Sequence, residues 1–313
     1  MKKIYLMLVS FSLAFVLGET CAYGRPSKAK VIGSGAMEGG YHFVAQKLTN
    51  SDTKTIERNT GGAVTNLKAI ANGEFSVGIV QSDIIESALK GEGSFQSQKP
   101  VKNLRAVARL YPEYIYLIVD KNAPIRNPHD LKGLHVGLGS AGSGTLDTSL
   151  KILKAYDLKE LDVHGHYGRI ENTITSFKKG QVNAFFFVTS SPTKILHDLY
   201  TQKPFRIIPI DGKVRNALLS QNSAFAKATL DGKPYGATND IETISVTAQL
   251  ITNSQEDPTT VYKITKSLWE HPDKLDENAP SFDLTMATND LSIPLHPGAA
   301  QYYRERNILK DGR

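Results

Sequence analysis

Five times along this chain a short apolar stretch ends in a loop of small polar residues that opens a helix-forming segment: Gly33-Ser34-Gly35, Thr60-Gly61-Gly62, Gln81-Ser82-Asp83, residues 139–145, and Thr189-Ser190-Ser191-Pro192. Strand, loop and helix in regular alternation predict a parallel α/β sheet with right-handed crossovers. The loops carry a chemical implication of their own. The first N–H groups of a helix have no internal partner and bear a partial positive charge, so several such termini meeting at strand ends form a seat for a negative group. Open α/β sheets hold their ligands at those carboxyl ends.

The alternation predicts strands at 30–32, 53–58 and 75–80, with helices at 41–48, 64–72 and 84–89. Val64, Leu67 and Ala71 share one face of the second helix, and Gly73 stops it. Two β-rich stretches follow, 104–110 and 114–119, joined by Tyr111-Pro112-Glu113. A second cycle then begins with a strand at 135–138, a helix carrying Leu146, Leu150 and Leu153, a helix at 171–179, and a strand at 182–188. The segment 241–252 reads as a strand, and 258–269 as a helix with Pro258 in its first turn. Segments 114–120 and 241–252 are the expected crossovers between two lobes. Lobe 1 is then discontinuous, 27–113 plus 241–313, and lobe 2 is 114–240.

The first 24 residues have the character of an export signal. Lys2 and Lys3 are followed by an apolar run at 4–17 and by small residues around Ala22. That run falls short of the ~20 residues a bilayer span needs, so a cleaved signal and export are expected, with an uncleaved anchor as the alternative. The single cysteine, Cys21, lies within this segment, which leaves the mature chain without thiol catalysis, iron–sulfur clusters or cysteine zinc sites. Loss of Lys2, Lys3 and Glu19 takes the formal net charge from +6 to about +5. The remaining lysines are scattered, so a nucleic-acid surface is not expected and attraction of small anions is.

Residues 140–145 make the strongest candidate site. Glycine permits close backbone approach, Ser143 and Thr145 add hydroxyl donors, and Gly144 opens the helix. Thr60 and Gly61 offer a second donor set, with a plain N-cap as the alternative, and Ser34 belongs to the first loop. Gln81 and Ser82 leave a buried strand toward the same end, and Tyr41 and Tyr111 are candidate walls with polar tips. One terminus contributes only ~0.3–1 kcal/mol to a carboxylate, so several must converge or an arginine must help. Arg109 and Arg169 are the candidates, with exposed surface as the alternative for Arg169. Phe185, Phe186 and Phe187 alternate on a strand, and at least two belong to the core. His164 and His166 share a strand face, but no third ligand follows at a telling distance. No metal, no cofactor and no catalytic residue are expected.

Taken in order, these motifs resemble the TAXI-type solute-binding proteins of TRAP (tripartite ATP-independent periplasmic) transporters, relatives of the immunogenic 31-kDa-type antigens. The resemblance rests on Gly33-Ser34-Gly35 with Gly39-Gly40-Tyr41, residues 60–67, residues 78–83, Asn103-Leu104-Arg105, Leu110-Tyr111-Pro112-Glu113, Asp130-Leu131-Lys132-Gly133, residues 139–145 and residues 294–300. It implies a two-lobed, type II-like periplasmic binding-protein fold that closes on a small organic acid or amino acid. It implies delivery of that solute to a TRAP permease driven by an ion gradient, by a monomeric receptor. By that likeness Tyr41, Gln81, Ser143, Gly144 and Thr145 line the cleft. Met37 and Glu38 depart from the family's first loop, and Glu38 offers a partner for a ligand ammonium.

Two other classes compete. A nucleotide-dependent oxidoreductase could use Gly33, Gly35 and Gly39 with Glu57 as the ribose-binding acid, but the glycine spacing is one residue too long. A secreted hydrolase lacks the Gly-x-Ser-x-Gly elbow, since Gly142-Ser143-Gly144 has the wrong flanks.

Overall fold

The computed structural model of the chain describes residues 29–37, 39–49, 53–270 and 279–309. The expected export signal, Cys21 and Glu38 lie outside the described residues. Among the described residues no helix is long and apolar enough to cross a membrane.

The first cycle consists of β1 (Lys30–Gly33), α1 (Gly40–Leu48), β2 (Thr55–Arg58), α2 (Ala63–Ala71), β3 (Val77–Gln81) and α3 (Ser82–Lys90). β1 pairs in parallel with both β2 and β3, as right-handed strand–helix–strand units require. The chain then enters β4 (Leu104–Asp120), a single strand of 17 residues where two were expected. Pro112 does not break it. A proline cannot donate to a ladder, but Pro112 falls opposite Thr247, where the register with β10 (Ile241–Asn253) shifts between Thr247 and Gln249. The missing donor therefore coincides with an irregular step, the kind of place where a sheet tolerates proline.

The second cycle comprises β5 (His135–Gly137), α4 (Gly144–Ala155), β6 (His164–His166), α5 (Ile170–Lys178) and β7 (Ala184–Thr189). It continues through α6 (Lys194–Gln202), β8 (Phe205–Ile207), α7 (Gly212–Gln221) and β9 (Ala226–Leu230) before β10 returns the chain to the first cycle. α8 (Pro258–Glu270) and α9 (Pro297–Glu305) complete the fold. The sheet order is β2-β1-β3-β10-β4-β7-β5-β6, with β8 added to β4 and β9 to β10.

Strands β4 and β10 run through both halves of the molecule. The amino-terminal part of β4 pairs with the carboxyl-terminal part of β10, and residues 114–119 of β4 pair with β7. Conversely, β10 meets β9 through residues 241–245 and β3 through residues 248–252. The buried side chains divide accordingly. One cluster draws on Ile32 through Tyr111 and resumes at Ala248, Leu250, Val261, Leu268 and Tyr303. Two others draw on residues between Ile115 and Val246, one centred on Leu117, Val136 and Ile152, the other on Tyr116, Phe177 and Phe185. Ile244 and Val246 pack with the second half, so the return crossing lies nearer Thr247 than residue 241. Phe185 and Phe186 are both buried, in different clusters, and since neighbours on a strand point to opposite faces, both faces of β7 are covered.

Candidate functional site

The carboxyl ends of β1, β2 and β3 in one half face those of β5, β6 and β7 in the other, across a cavity of about 120 Å³. Its lining includes the starts of α1 (Gly39, Gly40, Tyr41), α2 (Gly61, Gly62, Ala63), α4 (Ser143, Gly144, Thr145) and α5 (Arg169, Ile170), together with Gln81, the residue that caps α3. Five helix termini thus converge, three from one half and two from the other. Each contributes a modest favourable field for an anion, so the convergence supplies what one loop could not. The volume far exceeds the ~10–15 Å³ that one water molecule needs, and it is on the scale of a small solute.

Local chemistry sets each terminus. Ser143 caps α4 by accepting from the Leu146 amide at 3.1 Å. Gly62 caps α2 at φ 119°, a conformation that favours glycine. Thr145 Oγ1 accepts from the Val188 amide at 3.3 Å and ties α4 to β7. Arg169 is exposed at the rim, where its guanidinium donates to the Thr60 carbonyl oxygen across the two halves at 3.0 Å. It lines the cavity; Arg109 does not.

Two buried side chains in the cavity have unspent capacity. Gln81 is 3 % exposed, and its Nε2 has no hydrogen-bond partner. Glu113 is 5 % exposed and accepts one hydrogen bond, from the Tyr41 hydroxyl at 2.9 Å. Burial pushes the Glu113 carboxyl up to about 8, with the nearby Asp83 charge adding to the rise and the Tyr41 hydrogen bond opposing it. The Tyr41 phenol is raised well above its usual value by burial and by the adjacent Glu113. Glu113 escaped sequence reasoning because it follows a proline and reads as part of a turn. Two signals pointed to it: an acidic residue between β-rich stretches, and its place in the Leu110-Tyr111-Pro112-Glu113 motif.

Of the residues expected at the site, Tyr41, Thr60, Gly61, Gln81, Ser143, Gly144 and Thr145 line the cavity. Ser34, Ser82 and Tyr111 do not. Ser34 is buried behind its loop, donating to the Arg58 carbonyl oxygen while its own carbonyl accepts from Thr60 and Asn66. Ser82 is spent on the junction of the halves, donating to the Ala224 carbonyl oxygen and accepting from the Thr247 amide, each at 3.0 Å. Tyr111 faces a separate groove with Pro112, Ser190, Ser191 and Pro192. The fifth loop therefore also leaves the cavity beyond Thr189, and α5 takes the place expected of α6. Glu57, the candidate ribose acid, is committed to His42 Nδ1 at 2.7 Å. His164 stacks on His135, and no group of three or more metal-ligating side chains occurs among the described residues.

Outside the cavity the halves are clasped by a second set of contacts. Lys151 of α4 lies 3.0 Å from Asp83 of α3 and 3.1 Å from Asp147. Asp147 reaches back across the junction to accept from the amide and hydroxyl of Ser94 at 2.9 and 2.8 Å, and Thr148 donates to Asp83 at 2.8 Å. The Thr65 amide donates to the Gly142 carbonyl oxygen at 3.1 Å. Gly144 approaches Gln81 so closely that a Cβ on it would fall 1.2 Å from the Gln81 Oε1. This is a closed arrangement of the two halves.

The architecture is that of a periplasmic binding protein, two lobes joined by crossover strands with the cleft between them. Similar solved structures include a protein of Bordetella bronchiseptica RB50 (16 % identity over 90 % of this chain and 98 % of that one, TM-score 0.56). They also include the periplasmic binding protein BugD (12 %, 90 % and 93 %, 0.53) and a periplasmic transporter (15 %, 82 % and 89 %, 0.50). The profile of the NMT1-like family matches residues 32–306, and the chain belongs to that family.

Proposed function

We propose that this protein is a periplasmic solute-binding receptor of the TAXI type. It captures a small carboxylate, a glutamate-like amino acid or a dicarboxylate, and delivers it to a TRAP membrane permease for ion-gradient-driven uptake. The observation that carries this reading is the convergence of five helix termini and Arg169 on one cavity between the lobes. We read the cavity as a binding site rather than a catalytic one, because its lining is dominated by helix-start glycines and hydroxyl donors suited to holding an anion. The TAXI assignment draws on the ordered motifs from Gly33 to Ala300. Export draws on residues 1–24, which precede the family match. We place lobe 1 at 27–113 with the carboxyl-terminal part from about residue 247, lobe 2 between them, and the receptor as a monomer without a cofactor.

The bound solute bridges both lobes and so favours the closed state by its differential affinity. Native mass spectrometry of periplasmic protein is expected to find a co-purified small carboxylate, and X-ray scattering to record compaction when it is added back. Arg169→Gln is expected to weaken binding of that solute about tenfold, a charged hydrogen bond being worth ~1.5–3 kcal/mol and discounted here for exposure. A solute without any carboxylate, or an unchanged radius of gyration at saturation, would refute the reading.

A further inference from the structure

The cavity is built for an anion, yet it contains an acid. Glu113 enters it from β4 at the point where that strand crosses between the lobes, and no arginine or lysine pairs with it. Arg169 lines the same cavity but is bonded to the Thr60 carbonyl oxygen. The titratable and charged groups that face Glu113 are Tyr41 from α1, Asp83 from α3, and Tyr111 two residues earlier on β4. None is a cation. A carboxyl this buried, with one donor and no counter-charge, is costly as an anion unless something positive arrives. Tyr41 occupies only one of its acceptor positions, which leaves capacity for the N–H groups of a ligand.

We propose that Glu113 receives a cationic nitrogen of the solute, which makes the solute a zwitterionic amino acid, and that this nitrogen displaces the carboxyl proton as it binds. The inference rests on the reading of the cavity as a carboxylate site. The two ends of the solute are then sorted by charge, its carboxylate toward the helix termini and Arg169, its ammonium toward Glu113 and Tyr41. In the solute-free cavity the acid is held protonated at neutral pH by burial. When the ammonium enters, the O–H bond breaks, the proton leaves to water, and N–H···O hydrogen bonds replace it. A plain dicarboxylate would do the opposite and keep Glu113 protonated, since the neutral acid donates to it while the ionised one repels it.

The sign of the proton exchange separates the two cases. Calorimetry at pH 7 in two buffers of different ionisation heat, with L-glutamate and with glutarate, its skeleton without the ammonium, gives that sign directly. For an acid titrating near 8, binding of L-glutamate is expected to release about 0.9 proton at pH 7, and its affinity to rise with pH up to about 8. Glu113→Gln, of nearly the same shape, is expected to cost L-glutamate about tenfold in affinity and to abolish the release, while glutarate changes by less than about threefold. L-Glutamate binding without proton release, or glutarate binding more tightly than L-glutamate to the unaltered protein, overturns the assignment of Glu113 and leaves the carboxylate site standing. Binding of neither compound, with a co-purified solute that has no carboxylate, sinks both. The proton count on the unaltered protein decides even if the variant does not fold.

Discussion

Gly144→Ala is expected to weaken solute binding about a hundredfold while leaving each lobe folded. The added methyl group would lie 1.2 Å from the Gln81 Oε1 and 3.3 Å from the Ala63 Cβ, both on the opposite lobe. Overpacking a filled contact costs ~1–3 kcal/mol, and the upper part of that range applies because the Gln81 amide that must move is itself buried, at 3 % exposure. Alanine is otherwise welcome at a helix start, so the lobe carrying α4 keeps its own stability. Calorimetry of binding and thermal unfolding of the solute-free protein test the two halves of this statement separately. A variant that binds normally would mean that closure in solution does not bring Gly144 against Gln81.

Lys151→Met is expected to have an effect of similar size by a different route. Removing one partner of a buried ion pair strands the others, at ~3–5 kcal/mol if they stay buried. Here Asp83 and Asp147 have an alternative, because opening the lobes returns Asp83 to water. The variant should therefore show a larger radius of gyration than the unaltered protein at saturating solute and bind about a hundredfold more weakly. The pH dependence has a definite sign. Burial alone would lift the Asp147 carboxyl, but the Lys151 ammonium and the two Ser94 donors hold it below the ordinary range. A depressed carboxylate stabilises the clasp above its ordinary value and loses that contribution as pH falls through the depressed one. Lys151 is the mirror case. Burial would lower it, the two aspartates raise it, and its contribution is present below ~10.4 and lost as pH rises through the elevated value. Scattering across pH at saturating solute should show closure falling away below about 4, and persistence of closure there would place the clasp elsewhere.

Much of the fold was legible because strong local signals agreed with one another. Val64 and Leu67 mark the buried face of α2, though Ile70 rather than Ala71 completes it, Gly73 follows its end, and Ser143 caps α4 as a serine before a helix should. The site was legible where it depends on such signals, at Thr60-Gly61-Gly62 and Ser143-Gly144-Thr145. It was not legible where position depends on distant strands. β6 is three residues long, His164-Gly165-His166, with no apolar run, so nothing local announces that the next loop delivers Arg169 to the cavity. Glu113 sits after an exposed proline and is buried only because β10 and α1 close around it. Ser34 and Ser82 have the composition of ligand loops, and they are diverted by backbone carbonyl groups that only the tertiary fold brings near.

The two long crossing strands also set the order in which the chain can complete itself. β10 lies between β3 and β4, so the sheet of the lobe begun at Lys30 has a gap at its centre until residues 248–252 exist to fill it. The core of that lobe likewise waits for Val261, Leu268, Tyr302 and Tyr303. During synthesis, which proceeds from the amino end at ~5–20 residues per second, the later lobe has nearly all of its chain before the earlier one has its central strand. The lobe that begins first is finished last, and its exposed β3 edge remains the most vulnerable surface of the nascent chain until β10 arrives.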